Sequence, residues 1–223
     1  MDIKVVGIGG IGTWLLPPLA RFLTFSHPDT QLTLIDGDAF ELKNRERQVF
    51  NTIGNKAQVH TEMLRDSFPE LDVQAVPEYL TSENIALHVS DQSWILLCVD
   101  NHATRKLISD RSEELENVRL ISGGNELTDG SVHVFIRENG QNLTLPLGNE
   151  YHTEVAFPED RNPGEVGCDE LVTHEPQLLF TNFQIAAQML SRFYAILTRG
   201  NDQDEDLYCD LITGNCRSIR RRR

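Results

Sequence analysis

The sequence predicts an α/β fold in which flanking helices cover a mainly parallel sheet and antiparallel strands extend that sheet near the C-terminus. Two observations lead to this fold class. Short apolar runs alternate with longer segments whose apolar residues recur at helical spacing, as they do in βαβ units. A glycine-rich turn also joins the first apolar run to the first helical segment, where the chain must reverse sharply between two packed elements.

Strands are predicted from the short apolar runs, and helices from apolar residues that repeat at helical spacing. The predicted strands cover residues 3–8, 32–36, 73–76, 94–99 and 119–123, and an alternating run predicts an antiparallel strand over residues 130–137. The predicted helices cover residues 13–24, 53–68, 81–89, 101–116 and 176–198. Residues 207–217 are expected to form a final strand or hairpin. Pro17 and Pro18 are placed near the start of the first helix, where proline is best tolerated.

We expect a single domain over residues 1–223, because no linker or internal repeat divides the chain. Its nucleotide-binding part covers about residues 1–136, and a C-terminal helix and strand cover about residues 176–217. Residues 138–175 between them lack a periodic pattern and are rich in Pro, Gly, Asn and Glu. A loop this long in a compact domain is usually functional or disordered.

Composition and charge limit the classes of partner. The net charge is −14 and the pI is ≈ 4.8, so we expect no nucleic-acid binding, which needs a basic face. No run approaches the roughly 18 apolar residues of a membrane span, and the first residues do not form a signal peptide. We therefore expect a cytoplasmic protein with reduced thiols and no membrane partner. No Cys-x-x-Cys pair is present, so no zinc is expected.

The glycine-rich turn predicts a nucleotide site. It contains Gly7, Gly9, Gly10 and Gly12, after a strand and before a helix. Glycine lets the backbone approach a phosphate, and the helix N-terminus supplies N–H groups with a partial positive charge. Asp36 ends the next strand, where a carboxylate can accept hydrogen bonds from ribose hydroxyls. These features make the predicted fold Rossmann-like and fit NAD, FAD or ATP.

Further polar residues favour ATP among these nucleotides. Asn44 and Arg47 are spaced to face the same side of a helical turn, and Lys56 lies near the start of the next helix. Two cations and an amide suit a triphosphate and would stabilise the charge that develops during nucleotidyl transfer. Asp100 follows an apolar strand, at the edge where open α/β sheets bind ligands, and can hold Mg²⁺ between phosphates. Residues 45–46 are interpreted as solvated surface charge.

Five motifs in order carry a resemblance to a known family. They are Gly-x-Gly-Gly-x-Gly, Asp-x-Asp, Asn-x-x-Arg-Gln, Gly-x-Lys and Cys-Val-Asp-Asn-x-x-x-Arg. Together they resemble the ThiF/MoeB family, relatives of ubiquitin-activating enzymes, through about residue 136. The resemblance implies ATP-dependent adenylation of the C-terminal glycine of a ubiquitin-like or sulfur-carrier protein. It also implies Mg²⁺ as a cofactor, a homodimer, and in some members a conjugating enzyme as a second partner.

The resemblance also implies roles for individual residues. Asp36 would bind the ribose, and Asp100 would organise Mg²⁺. The phosphates would be held by Asn44, Arg47 and Lys56, and the remaining motif positions in the same site are Asp38, Gln48 and Asn101. The zinc-binding cysteine pairs of the family are not found in this sequence. The family's N-terminal arginine, which reaches the partner subunit's ATP, is expected to be missing or to come from elsewhere.

Some members of this family transfer the activated acyl group to a cysteine, and Cys168 is the candidate here. It lies in the long loop just before the last helix, similar to the place where the family's crossover loop carries a cysteine. The neighbouring acids, Glu165, Asp169 and Glu170, would raise the pKa of its thiol. Cys98, in an apolar strand, is expected to pack in the core. The last two cysteines, Cys209 and Cys216, flank an apparent turn. We expect them to have a structural role, or to occur there by chance, rather than to take part in catalysis.

Two other functions remain open. An NAD- or FAD-dependent oxidoreductase would explain the glycines and Asp36, but it would give Arg47, Lys56 and Asp100 no role. A non-catalytic adaptor that keeps the fold for binding would explain the missing N-terminal segment. The histidines do not help to decide, because neither His152 nor any other shows the spacing of metal ligands.

Overall fold

The computed structural model describes residues 1–165, 178–200 and 205–221. Within these ranges nine strands belong to one sheet: β1 (Asp2–Val6), β2 (Gln31–Ile35), β3 (Asp72–Val76), β4 (Trp94–Leu97), β5 (Val118–Asn125), β6 (Asp129–Glu138), β7 (Gln141–Asn142), β8 (Asp206–Asp210) and β9 (Cys216–Ile219). The α-helices are α1 (Gly10–Ser26), α2 (Lys56–Ser67), α3 (Ile85–His88), α4 (His102–Glu113), α5 (Thr153–Ala156) and α6 (Leu179–Arg199). Two 3₁₀ helices cover Leu42–Glu46 and Pro163–Glu165.

The sheet confirms the predicted fold class. Its order is β3-β2-β1-β4-β5-β6-β8-β9, and β7 pairs with β6 outside this path. Neighbours from β3 to β5 are parallel, whereas β6, β8 and β9 extend the sheet with antiparallel pairs. The strand order reverses between β1 and β4. Open α/β sheets bind ligands at such a switch point, beyond the carboxyl ends of the strands.

Two apolar layers cover the two faces of the sheet. On one face α1, α2 and α6 pack through residues such as Leu15, Ala57 and Ile185. On the other face the shorter helices α3, α4 and α5 contribute Ile85, Ile108 and Val155. Because both faces are covered, β4 at the centre of the sheet is apolar and buried at every position, which is why a short continuous run predicted it.

The first helix begins earlier than predicted. It starts at Gly10 rather than residue 13, so Pro17 and Pro18 lie inside the helix and not in its first turn. The physical reason is packing: a Cβ on Gly12 would overlap the carbonyl oxygen of Gly7, so only glycine lets the helix begin this close to the strand. The placement of both prolines was therefore wrong.

Two other helices are shorter than predicted. The helix expected over residues 53–68 begins at Lys56, because the side chain of Asn55 accepts a hydrogen bond from the Gln58 N–H and caps it. The helix expected over residues 81–89 is limited to α3. Asn84 accepts a hydrogen bond from the Thr81 N–H, which holds the preceding residues in a turn. None of the described helices has the length and apolar character to cross a membrane.

The segment predicted as a long loop contains short elements where it is described. These are β7, α5 and the 3₁₀ helix at Pro163–Glu165, while residues 166–177 lie outside the described ranges. Strands β8 and β9 form a hairpin. The sequence predicted either a strand or a hairpin over residues 207–217. The register of the hairpin places Cys209 opposite Cys216, and the two form a disulfide. The expectation of reduced thiols was wrong for this pair, whose role is structural.

Candidate functional site

The glycine turn brings the end of β1 against the end of β4 and opens α1. Gly7 has φ +87°, and a Cβ there would lie 2.9 Å from both the carbonyl carbon of Cys98 and the nitrogen of Val99. Gly9 caps α1 without a side-chain hydrogen bond, and the first turn of the helix carries no acidic residue. The first N–H groups of α1 therefore have no side-chain cap, which is the arrangement that binds anions at helix N-termini.

Two buried amides border this turn and have hydrogen-bonding atoms without protein partners. Asn182, on α6, is fully buried, and a Cβ on Gly10 would overlap its amide group. Neither Oδ1 nor Nδ2 of Asn182 has a hydrogen-bond partner, and the same is true of Oε1 of Gln48. Buried polar groups are nearly always paired. The absence of partners at this turn therefore points to a polar ligand.

Asp36 is held rigidly at the end of β2. Its Oδ2 accepts a hydrogen bond from the Ile8 N–H at 2.5 Å, and its Oδ1 accepts one from the Asp38 N–H at 2.8 Å. Burial raises the pKa of this carboxyl above its usual value, although the positive charge of Lys56 acts in the opposite direction. The carboxylate is thus fixed beside the glycine turn, with lone pairs left for further donors.

Lys56 forms an ion pair with Asp38 at the start of α2. Its Nζ donates to Asp38 Oδ2 at 2.8 Å, and the Tyr79 hydroxyl donates to the other oxygen of the same carboxylate. Burial acts to raise the pKa of Asp38, but the charge and hydrogen bond of Lys56 outweigh it, so the pKa lies below its usual value. The Asn55 amide fixes the pair by donating to the carbonyls of Asp36 and Asp38.

The 3₁₀ helix Leu42–Glu46 positions the next group of predicted residues. Asn44 is buried, and its carbonyl oxygen accepts hydrogen bonds from the N–H groups of Arg47 and Gln48 at 3.1 and 2.9 Å. The carbonyl of Arg47 accepts a hydrogen bond from the Trp14 indole at 3.3 Å, which ties this turn to α1. The side chain of Arg47 is half-buried, whereas residues 45–46 are exposed, as interpreted from the sequence.

Asp100 and Asn101 follow β4. Asp100 is exposed, and its negative charge opposes the lowering of the Asp38 pKa, so the two carboxylates act on each other. Asn101 caps α4, its side chain accepting a hydrogen bond from the Thr104 N–H at 2.8 Å. Arg105 is buried and donates to the carbonyls of Val99 and Gly123, which joins the ends of β4 and β5.

The structure thus gathers most predicted site residues at one edge of the sheet. The glycine turn, Asp36, the Asp38–Lys56 pair and the 3₁₀ helix are linked by direct hydrogen bonds, and Asp100 lies beside them at the end of β4. Asn182 was missed, because its helix was interpreted only as core and no local pattern distinguishes a buried amide there.

The predictions for the cysteines have different outcomes. Cys168 lies outside the described residues, so its role remains a prediction. Cys98 is buried, burial raises the pKa of its thiol to about 12, and its sulfur packs 3.9 Å from that of Met189. The packing role of Cys98 is therefore confirmed.

The sequence also failed to predict a second polar cluster, made by His133, His152 and Asp206. These residues lie on β6, before α5 and on β8, so no spacing in the sequence could have joined them.

The fold and this edge of the sheet define a Rossmann-like α/β protein with a glycine-turn site. The chain belongs to the ThiF family, which it matches over residues 1–220. This family membership confirms the resemblance drawn from the motifs.

Several curated relatives are similar over part of the chain. The adenylyltransferase and sulfurtransferase MOCS3 of Drosophila virilis is 33% identical over 138 residues, which are 60% of this chain and 29% of the relative. The sulfur carrier protein ThiS adenylyltransferase of Escherichia coli is 32% identical over 112 residues, 48% of this chain and 43% of the relative. The tRNA threonylcarbamoyladenosine dehydratase of E. coli is 35% identical over 104 residues, which are 44% of this chain and 37% of the relative. The matched regions cover less than half of these relatives.

Solved structures share the fold at low sequence identity. E. coli MccB, in a crystal structure with ATP, has a TM-score of 0.72 at 14% identity, over 98% of this chain and 63% of that one. The crystal structure of PaaA has a TM-score of 0.70 at 19% identity, over 98% of this chain and 72% of that one. These likenesses support the fold described above.

Proposed function

We propose that this protein uses ATP to adenylate the C-terminal glycine of a ubiquitin-like or sulfur-carrier protein. The observation that carries the proposal is a set of unpartnered buried amide atoms, both side-chain polar atoms of Asn182 and Oε1 of Gln48, at the uncapped N-terminus of α1. Three of the relatives and neighbours reported above support the substrate. Two are named as adenylyltransferases, one of them of a sulfur carrier protein, and the third was crystallised with ATP.

The donor set suits ATP. In the proposed complex the ribose hydroxyls donate to Asp36, and the phosphates lie at the N-terminus of α1. Their charge is met by Arg47 and Lys56, together with the amides of Asn44, Gln48 and Asn182 and the backbone of Gly7, Gly9, Gly10 and Gly12. Asp38 holds Lys56 in place, and Asn101 lines the same site from the start of α4. Asp100, as an exposed carboxylate at this edge, is the group proposed to hold Mg²⁺.

The proposed reaction needs charge stabilisation and positioning more than covalent chemistry. A carboxylate oxygen of the carrier's C-terminal glycine attacks the α-phosphorus of ATP, and the bond between that phosphorus and the α,β-bridging oxygen breaks, so that the oxygen leaves with the pyrophosphate. The products are an acyl-adenylate and pyrophosphate. Arg47 and Lys56 neutralise the charge on the departing pyrophosphate, and rigid placement of both reactants lowers the entropic part of the barrier.

Several finer steps are proposed on the same basis. Cys168 accepts the acyl group from the adenylate as a thioester, releasing AMP, and a conjugating enzyme is a further partner. A homodimer and a cytoplasmic location complete the proposal. Cys168→Ala is expected to leave ATP–pyrophosphate exchange intact and to remove a thioester band that reductant cleaves. A thioester that persists in Cys168→Ala would show that this assignment is wrong.

The test of the first step is ATP–pyrophosphate exchange with and without candidate carriers ending in glycine, taken from genes adjacent to this one. We expect exchange that depends on one such carrier. No exchange with any of them, while ATP still binds, would favour the adaptor. Binding of NAD or FAD in place of ATP would favour the oxidoreductase. The dehydratase among the relatives makes tRNA a useful additional substrate control.

A further inference from the structure

Three buried side chains converge on one point beside the antiparallel part of the sheet. His133 Nδ1 lies 2.8 Å from Asp206 Oδ1, and His152 Nε2 lies 3.2 Å from the same oxygen and 3.1 Å from Asp206 Oδ2. The three residues come from β6, the residue before α5, and β8. Each is at least nine-tenths buried, and one ligand atom from each lies within 4.8 Å of the others.

The second ring nitrogen of each histidine and the second carboxylate oxygen of Asp206 also contact other polar groups. His133 Nε2 contacts Ser131 Oγ at 2.9 Å, and His152 Nδ1 contacts Glu154 Oε1 at 3.3 Å. The second oxygen of Asp206 accepts a hydrogen bond from Arg221 Nε at 2.6 Å. If each outer imidazole nitrogen carries the proton, both inner nitrogens present lone pairs toward Asp206 Oδ1. A metal-binding histidine usually has this arrangement, with its other nitrogen donating to a carboxylate or another oxygen.

We propose that His133, His152 and Asp206 bind one divalent transition-metal ion of the Zn²⁺ class, with water at a fourth position. Two imidazole nitrogens and one carboxylate oxygen are a donor set that zinc uses. Tetrahedral zinc, with bonds of about 2.0–2.1 Å, places neighbouring ligand atoms about 3.3 Å apart. The two imidazole nitrogens lie 2.8 and 3.2 Å from Asp206 Oδ1. The sequence analysis expected no zinc because the cysteine pairs of a cysteine-based site are missing. The site proposed here uses histidine and aspartate ligands instead.

The contacts of His152 favour a bound cation, while the Arg221 guanidinium already offsets part of the charge of Asp206. Without a bound cation, His152 has carboxylates at both ring nitrogens, so its neutral form leaves one nitrogen lone pair facing a carboxylate oxygen. A metal ion removes this conflict, because the inner lone pair binds the ion and the outer N–H donates to Glu154. The ion would also join the segment before α5 to β6 and β8, fixing that part of the chain to the sheet.

The experiment measures metal content in untagged full-length protein. The protein is stripped with a chelator, dialysed against Zn²⁺ alone or Co²⁺ alone, desalted and analysed by mass spectrometry of the metal. We expect one ion per chain, visible absorption of four-coordinate Co²⁺, and a higher unfolding temperature with Zn²⁺. His152→Gln and Asp206→Asn should each lose the ion, and Glu154→Ala should lower Zn²⁺ affinity about 10- to 100-fold.

The matched control is His88→Gln, which removes a histidine paired with Glu78 Oε1 at 2.8 Å near the surface and should keep the full metal content. Wild-type protein that binds no stoichiometric Zn²⁺ or Co²⁺ would overturn the proposal and leave an ion-pair network only. Retention of the ion in both ligand variants would overturn it as well. If those two variants do not fold, the wild-type stoichiometry and the Glu154→Ala affinity decide.

Discussion

At the scale of single residues, the site is defined by polar groups that the protein does not satisfy itself. An amide buried without partners costs stability, typically about 1–3 kcal/mol, and such groups are retained where they serve a ligand. The whole side-chain amide of Asn182, and Oε1 of Gln48, are in this position beside the glycine turn. The same criterion separates them from Asn55, whose side chain is used to fix local structure.

Replacing Asn182 by leucine should separate stability from nucleotide binding. Asn182→Leu is expected to keep or raise the free energy of unfolding of the nucleotide-free protein, because it removes an unsatisfied buried amide. It should weaken ATP binding about 10- to 100-fold, which corresponds to the free energy that a hydrogen bond to a charged group contributes. Calorimetric titration with ATP measures the second effect. Gln188→Leu, a half-buried position on the same helix, should leave ATP affinity unchanged, and an unchanged affinity in Asn182→Leu would remove this residue from the site.

The cations proposed for the phosphates each have a matched control nearby. Arg47→Ala and Lys56→Ala should lower the rate of ATP–pyrophosphate exchange about 100-fold or more, as expected for groups that stabilise developing charge. Arg45→Ala and Lys43→Ala remove exposed charges of the same kind and should have little effect. Similar losses in all four variants would indicate a general effect of surface charge instead.

The sequence predicted where a residue lies in the fold when a strand or helix boundary marked its position, and failed when only the tertiary fold could bring residues together. Asp36 directly follows β2 and Lys56 begins α2, close to where the sequence placed them, whereas their roles stay a prediction. Asn182 lies against Gly10, which comes from the other end of the chain, so no local pattern could place it there. His133 and Asp206 meet only because β6 pairs with β8.

At the scale of elements, close packing between the glycine turn and α1 decides where the helix begins. The turn was predicted from its glycines, but the start of the helix was placed three residues late. Helix propensity disfavours glycine in a helix, and here the close approach of Gly12 to the Gly7 carbonyl overrides it. Helix α3 is shorter than predicted for a local reason and not because of packing. The Asn84 side chain stabilises a turn that competes with the helix.

Gly12→Ala tests this account of the first helix. The added methyl group would overlap the Gly7 carbonyl, so the backbone must move and the free energy of unfolding should fall by about 1–3 kcal/mol, the usual cost of overpacking. Chemical denaturation measures this change. The displaced turn should also lose ATP binding. Wild-type stability in Gly12→Ala would contradict the packing argument.

At the scale of the whole molecule, hydrophobic burial on both faces of the sheet determines the fold, and that burial is visible in the sequence. The continuous apolar strands and the order of elements were sufficient to predict the α/β class and the antiparallel extension. The disulfide and the polar cluster lie in that extension, where pairing joins distant residues and local pattern gives little information.

A buried histidine should make the stability of the whole molecule depend on pH. Burial lowers the pKa of His60 from 6.5 to about 4, and its Nε2 bonds to the Val49 carbonyl at 2.8 Å. Since the unfolded chain takes up this proton and the folded chain does not, stability is full above pH 6.5 and falls as the pH drops toward 4. The expected loss is about 3 kcal/mol over this range.

Chemical denaturation at pH 7 and pH 5 checks this effect. His60→Gln, whose amide can still donate to Val49, should lose less stability between the two pH values than the wild type does. His27→Gln, at the end of α1, should behave like the wild type. Equal pH dependence in all three proteins would show that His60 does not contribute.

The central claim is that ATP activates a carrier's C-terminal carboxylate at its α-phosphate. The most direct measurement follows label from ATP, carried in turn on the α- and the γ-phosphate, during reaction with a glycine-terminated carrier. We expect the α-label to appear as AMP on the carrier and the γ-label to leave as pyrophosphate. Transfer of the γ-label, or release of ADP and phosphate without adenylation of the carrier, would contradict it.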